Sequence, residues 1–174
     1  MKYNKKKFIY LISPNRIEKT FYKDLIEILK LKKVNFFQLR LKRSSFQKKI
    51  KIGKKIKKIC KKYKTKFLIN DNVRLAKILD SDGCHIGQKD MALYKARKIL
   101  KKKIIGVTCH NSIKLAKKAL LDGANYIALG AFYKTKTKKT IYKANLKTLI
   151  NIKKSINLPV VAIGGINENN YKNL

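Results

Sequence analysis

Seven short apolar runs punctuate the chain: FIYLI (8–12), NFFQLRL (35–41), KFLIN (66–70), GCHIG (83–87), KIIGVT (103–108), NYIALG (125–130) and LPVVAIG (158–164). Their length and their β-branched and aromatic content predict strands. Between them, segments such as FYKDLIEILKLKK, FQKKIKIGKKIKKICKKY, VRLAKILD, ALYKARKIL and IKLAKKALLDG place apolar residues near i, i+3, i+4 and i+7, the period of an amphipathic helix. Strand and helix alternate throughout, which predicts an α/β fold of parallel strands joined by right-handed crossovers. A TIM-type (β/α)8 barrel needs an eighth strand, and the sequence reaches Leu174 inside what should be the seventh helix. The expectation is a barrel truncated after the seventh strand, with an open seven-stranded sheet as the alternative. Either the chain is a truncated barrel or it leaves the edges of the first and seventh strands exposed, an aggregation liability.

Polar residues gather where several of these strands end. Gln38 and Arg40 close the second run, Asn70 and Asp71 the third and Thr108 the fifth; Thr135 follows the sixth and Gly164 and Gly165 end the seventh. In a parallel sheet or barrel those C-terminal ends share one face, which is where substrates bind.

The carboxylates are few and their placement is informative. Asp71, Asp80, Asp82 and Asp90 fall within twenty residues. Asp80 and Asp82 flank the turn entering the fourth strand, where Asp before Gly is ordinary turn chemistry. Asp71 and Asp90 follow the third and fourth strands and could share a hard cation such as Mg²⁺, or be two solvated loop acids. In QLRLK, the period of two puts Gln38, Arg40 and Lys42 on one face and Leu39 and Leu41 on the other. Three donors, two of them cationic, suit a diphosphate, and equally suit the polar rim of a half-exposed strand. The glycines of VVAIGGIN would let backbone N–H groups approach an anion, or simply make a turn. Cys109 and His110 are adjacent, so their side chains diverge and make a poor nucleophile–base pair. His85, inside the fourth strand, is expected to make a packed hydrogen bond. The stretch GAFYKTKTKKT (130–140) reads by itself as a solvated loop.

Composition narrows the picture further. The 174 residues are 45% hydrophobic, enough for the core of one domain spanning 1–174. A formal charge of +36 from 45 basic and 9 acidic residues would ordinarily point to nucleic acid. The lysines, however, run from Lys2 to Lys172 without an aromatic-interleaved tract, and abundant Lys, Asn, Ile and Tyr without Trp is what an AT-rich genome would produce. Nucleic acid is therefore not the expected partner. Cys60, Cys84 and Cys109 form no CxxC and no paired framework, which fits a reduced, cytoplasmic setting. The run from Phe8 to Ile12 is too short for a signal peptide's core, and nothing approaches the roughly 20 apolar residues of a membrane span.

Taken together in order, IYLIS, QLRLK, LINDN, DGCHIGQKD, IIGVTCH, GAFYKTKTKK and VVAIGGI resemble the thiamine-phosphate synthase family over nearly the whole chain. The resemblance implies a phosphate-binding (β/α)8 barrel and a transferase. It would join hydroxymethylpyrimidine diphosphate to thiazole phosphate, giving thiamine phosphate and pyrophosphate, with the diphosphate leaving first to form a pyrimidine carbocation. It implies Mg²⁺ held by Asp71 and Asp90. Gln38, Arg40, Lys42, Asn70, Thr108 and Lys138 would hold the pyrimidine diphosphate, and Thr135, Thr137 and Gly165 the thiazole phosphate. Thr108 stands where the family usually has Ser, Asn72 where it commonly has Arg, and Lys134 where it commonly has Pro. The absent eighth strand would remove backbone donors from the thiazole phosphate site. Two other readings stay open: the related thiazole tautomerase, which needs no such metal, and a basic RNA-binding protein without catalysis. The partners expected are small phosphorylated substrates, with a homo-oligomer left open.

Overall fold

A computed structural model of the chain describes residues 8–135 and 141–174. Its contacts divide the chain into two compact units, Met1–Cys84 and His85–Leu174. The fourth strand, β4 (Gly83–Ile86), runs across that boundary and is buried along its whole length.

The first unit alternates β1 (Ile9–Ile12), α1 (Phe21–Lys30), β2 (Val34–Leu39), α2 (Phe46–Lys62), β3 (Lys66–Asn70) and α3 (Val73–Ile78). β1 pairs with β2 and β2 with β3, both in parallel, with Ile12 opposite Gln38 and Gln38 opposite Leu68. Helical spacing selects the buried stripes: Leu25 and Leu29 on α1, and Ile52, Ile56 and Cys60 on α2. Phe37, Phe67, Leu68 and Ile69 of the strands are buried as well; successive residues of a strand face opposite ways, so Phe67 and Ile69 share one side of β3 and Leu68 lies on the other. Ser45 and Asn72 start α2 and α3 as N-caps, accepting hydrogen bonds from the backbone N–H of Lys48 and Leu75.

The second unit holds α4 (Leu93–Leu100), β5 (Ile104–His110), α5 (Ile113–Leu121), β6 (Tyr126–Leu129), α6 (Leu146–Ser155) and β7 (Val160–Ala162), then a short 3₁₀ turn, Tyr171–Asn173. β5 pairs with β6 and β6 with β7, again in parallel. Arg97 of α4 ties the unit's lower loops together. Its Nη1 donates to the carbonyls of Lys101 and Lys103, and its Nη2 to Gly123 O and Asn125 Oδ1, all at 2.6–2.7 Å.

All seven expected strands are present among the described residues, with ends shifted by one or two positions. α6 is a further helix beyond the segments quoted for their period. β4 and β6 are buried on both faces, as interior parallel strands are. β1 and β7 are not: Ile9 and Ile12 are exposed and all three residues of β7 are half-buried. No helix among the described residues is long and apolar enough to cross a membrane.

Candidate active site

In the first unit the polar groups sit at or just past the C-terminal ends of β2 and β3. Gln38 is only 3% exposed, and a buried amide must find partners or cost stability. It has two: Tyr10 Oη donates to Gln38 Oε1, and Gln38 Nε2 donates to Asn70 Oδ1, both at 2.6 Å. The strand ends at Leu39, yet Leu39 and Leu41 are both buried, so the alternation predicted for QLRLK persists beyond the ladder. Arg40 is held by its backbone N–H, which donates to Ser13 Oγ at 2.9 Å, and by its guanidinium, which donates to Asn15 Oδ1 at 3.0 Å.

Lys42 lies in the turn that follows, its Nζ 3.5 Å from Asp71 Oδ2, with the side chains 48% and 32% exposed. A solvated pair at this distance contributes at most about 1 kcal/mol, so each group can exchange the other for a more strongly charged ligand. Asp71 has φ of 62° and is spanned by a 2.7 Å hydrogen bond from Asn72 N–H to Asn70 O. This is a γ-type turn with a non-glycine residue in the left-handed region, a rare backbone that costs about 1–2 kcal/mol. Asn72, capping α3, fixes the far side of the turn.

In the second unit, Thr108 Oγ1 is 2.8 Å from His85 Nε2, and His85 Nδ1 is 2.9 Å from Tyr126 Oη. His85 is 7% exposed and so makes the packed hydrogen bonds expected of it. Tyr126 can lie there because Gly106, its partner across the β5–β6 ladder, has no side chain. A Cβ on Gly106 would fall 1.9 Å from Tyr126 Cζ. Gln88 Nε2 donates to Thr108 O at 2.5 Å. Asp90 closes the turn after β4: its Oδ2 accepts from Gly87 N–H at 2.8 Å, which directs the carboxylate back toward the strand's end. Cys109 is buried and its thiol is pushed up to about 12 by desolvation, so it is no nucleophile near neutral pH.

The chain after Leu129 runs on along β7's exit: Phe132 N–H donates to Ile163 O and Tyr133 N–H to Gly164 O. Gly164 and Gly165 have φ of 93° and 68°. A Cβ on Gly165 would lie 2.4 Å from Lys134 O and 2.8 Å from Tyr133 Cβ. The Gly-Gly pair is therefore required both by its own backbone and by the passage of the arm that carries Thr135 beside it.

The first unit thus brings together Gln38, Arg40, Lys42, Asn70 and Asp71, and the second places Tyr133 and Lys134, the residues leading to Thr135, beside Gly165, with Thr108 inside β5 and Asp90 past the exit of β4. Thr137 and Lys138 lie outside the described residues. Sequence reasoning missed Tyr10 and Ser13, which hold Gln38 and Arg40, and Tyr126, which holds His85. A carboxylate presents only oxygen, which in donor chemistry suits a hard cation; among the described residues no group of three or more His, Cys, Asp or Glu could hold a metal ion.

Alternating β and α elements, with amides, cations and carboxylates at the C-terminal ends of parallel strands, define an α/β fold of the barrel class, with seven strands among the described residues. The model of one family, thiamine monophosphate synthase, matches residues 9–174. The thiamine-phosphate synthase of Pelagibacter ubique is 65% identical over 177 residues, covering 100% of this chain and 86% of the relative. That of Clostridium acetobutylicum is 44% identical, covering 93% and 77%. A solved structure, thiamine phosphate pyrophosphorylase from Pyrococcus furiosus, superposes with a TM-score of 0.83 at 31% identity, covering 94% of this chain and 77% of that one. The chain belongs to the thiamine monophosphate synthase family.

Proposed function

We propose that the chain is a thiamine-phosphate synthase, a transferase that joins hydroxymethylpyrimidine diphosphate to thiazole phosphate and releases pyrophosphate. The family assignment supports the reaction. The observation that carries the residue roles is the cluster around the buried Gln38 amide, where Asn70, Arg40, Lys42 and Asp71 gather at the ends of adjacent parallel strands.

In this reading Gln38 and Asn70 present amide groups to the pyrimidine diphosphate, and Arg40 and Lys42 offer a planar fork and a point charge to its phosphates. Thr108, steadied by His85, and Lys138 complete that site. Thr135, Thr137 and Gly165 bind the thiazole phosphate through hydroxyl and backbone N–H donors. Asp71 and Asp90 would hold Mg²⁺, which when bound stabilises negative charge on the departing diphosphate. The chain's own cations add to the same preorganised field, so that the diphosphate can leave before the thiazole nitrogen attacks the pyrimidine carbocation. The whole forms one phosphate-binding barrel domain over residues 1–174, working in the cytoplasm on small phosphorylated substrates.

The test is incubation of the purified protein with both substrates and Mg²⁺, with thiamine phosphate detected by mass and pyrophosphate by a coupled assay. Asp71→Asn should abolish Mg²⁺-dependent turnover. Unchanged turnover in that variant removes the metal assignment, and absence of product from the unmodified protein removes the function. A tautomerase would release no pyrophosphate.

A further inference from the structure

The loop that carries Thr135 leaves β6 at its end and comes back to nearly the same place. Ala131 N–H donates to Tyr142 O at 3.1 Å, and Ala144 N–H donates to Ala131 O at 2.9 Å. The outgoing arm is fixed on its other side by the bonds from Phe132 and Tyr133 to Ile163 and Gly164. The returning arm meets the exit of β5. There the His110 ring stacks on the Tyr142 ring with centroids 4.0 Å apart and planes 20° from parallel, and Asn111 Nδ2 donates to Lys143 O at 3.1 Å.

The backbone of β5 is bent to allow this. Its register against β6 shifts between Thr108 and His110, and His110 has φ of 54°. A bulge of this kind re-aims the side chain that follows it, while Gly130 N–H, donating to His110 O at 2.9 Å, keeps the bent residue attached to the exit of β6.

We propose that His110 and Tyr142 are positioning residues: their ring stack is a clasp that anchors the return arm to the exit of β5 and, through the Ala131 N–H to Tyr142 O bond, steadies the outgoing arm that leads to Thr135, a donor to the thiazole phosphate. This rests on the proposed function for the identity of the ligand, and on the stack itself for the anchoring. A loop already held in its binding conformation loses less freedom when the ligand arrives, so the clasp acts on affinity for the substrate that the loop grips. Neither ring needs to touch that substrate.

The experiment compares Tyr142→Ala, which removes the ring, with Tyr142→Phe, which keeps it. In Tyr142→Ala the KM for thiazole phosphate should rise about fivefold, the loss of one aromatic stack. The KM for hydroxymethylpyrimidine diphosphate should stay within about twofold and kcat should hold, while Tyr142→Phe behaves as the unmodified protein. An unchanged thiazole phosphate KM, an equal rise in both KM values, or a Tyr142→Phe variant as impaired as Tyr142→Ala would overturn the proposal. Limited trypsin digestion gives a readout independent of activity. Cleavage after Lys134 and Lys143 should accelerate in Tyr142→Ala and not in Tyr142→Phe, and equal rates in all three proteins would also overturn it. If the unmodified protein makes no thiamine phosphate, the proposed function fails while the digestion still decides the clasp.

Discussion

Adding one methyl group at Gly106 would put a Cβ 1.9 Å from Cζ and 2.3 Å from Oη of Tyr126. Carbon atoms in contact keep about 3.5–4.0 Å, so the phenol ring must retreat by roughly 1.5–2 Å. Tyr126 is 4% exposed, and a close-packed interior has no such space to give. Overpacking of this kind costs about 1–3 kcal/mol, and losing the hydrogen bond between Tyr126 Oη and His85 costs about 0.5–1.5 kcal/mol more. Gly106→Ala is therefore expected to lose about 2–4 kcal/mol, which for a chain of this length lowers Tm by about 4–16 °C. Calorimetry of the variant measures the loss, and a double-mutant cycle with Tyr126→Ala identifies its cause. Tyr126→Ala alone should cost about 3–5 kcal/mol; once the ring is gone, the alanine at 106 should add less than about 1 kcal/mol. If the two costs simply add, the ring is not what requires glycine at this position and the reasoning fails. Because His85 would lose its hydrogen bond to Tyr126, Thr108 should also be held less firmly and turnover should fall further than stability predicts.

Three other outcomes follow from the geometry. Gly165→Ala should raise KM for thiazole phosphate at least about tenfold, since it combines a left-handed backbone with a collision against Lys134; an unchanged KM would separate Gly165 from that substrate. Arg97→Ala removes four hydrogen bonds to loop acceptors and should cost about 2–4 kcal/mol in urea unfolding, with turnover at low temperature preserved. Burial raises the thiols of Cys60 and Cys109 from 9.0 to about 12: between those values the unfolded chain ionises and the folded one does not, so these groups favour unfolding as pH rises from 9 to 12. At pH near 8, iodoacetamide should accordingly modify them only as fast as the protein unfolds, and rapid labelling of the native protein would contradict their burial.

Much of this arrangement was legible in the residues because parallel strands announce themselves. β4 and β6 are short continuous apolar runs, and the donors at Gln38, Arg40 and Asn70 follow from where such runs stop. α6 is harder to read: Leu146, Leu149 and Ile150 suggest no clean stripe, and only Ile152 is buried. What the sequence could not reveal is contact across distance. Tyr126 and His85 are 41 residues apart, and nothing local marks either as the other's partner. Gly106 looks like a weak point in a strand until the ring beside it is seen. Asp71 reads as a loop acid because aspartate is common in many kinds of turn and so does not single out this one. Gly164 and Gly165 read as an anion approach or a turn; the passing arm of Tyr133 and Lys134 that excludes a side chain there has no local mark.

The amides behind Asp71 carry a directional message. A phenol hydroxyl at Tyr10 hands its proton toward Gln38 Oε1, which obliges the same amide to turn its NH₂ toward Asn70 Oδ1. Asn70 Oδ1 is thereby engaged as an acceptor, and its own NH₂ is turned away from Gln38 Nε2. With phenylalanine at position 10 the amide of Gln38 would be free to rotate by half a turn, and Asn70 could then offer an oxygen instead. A residue two strands away thus decides whether the third strand ends in a free proton or in a free lone pair.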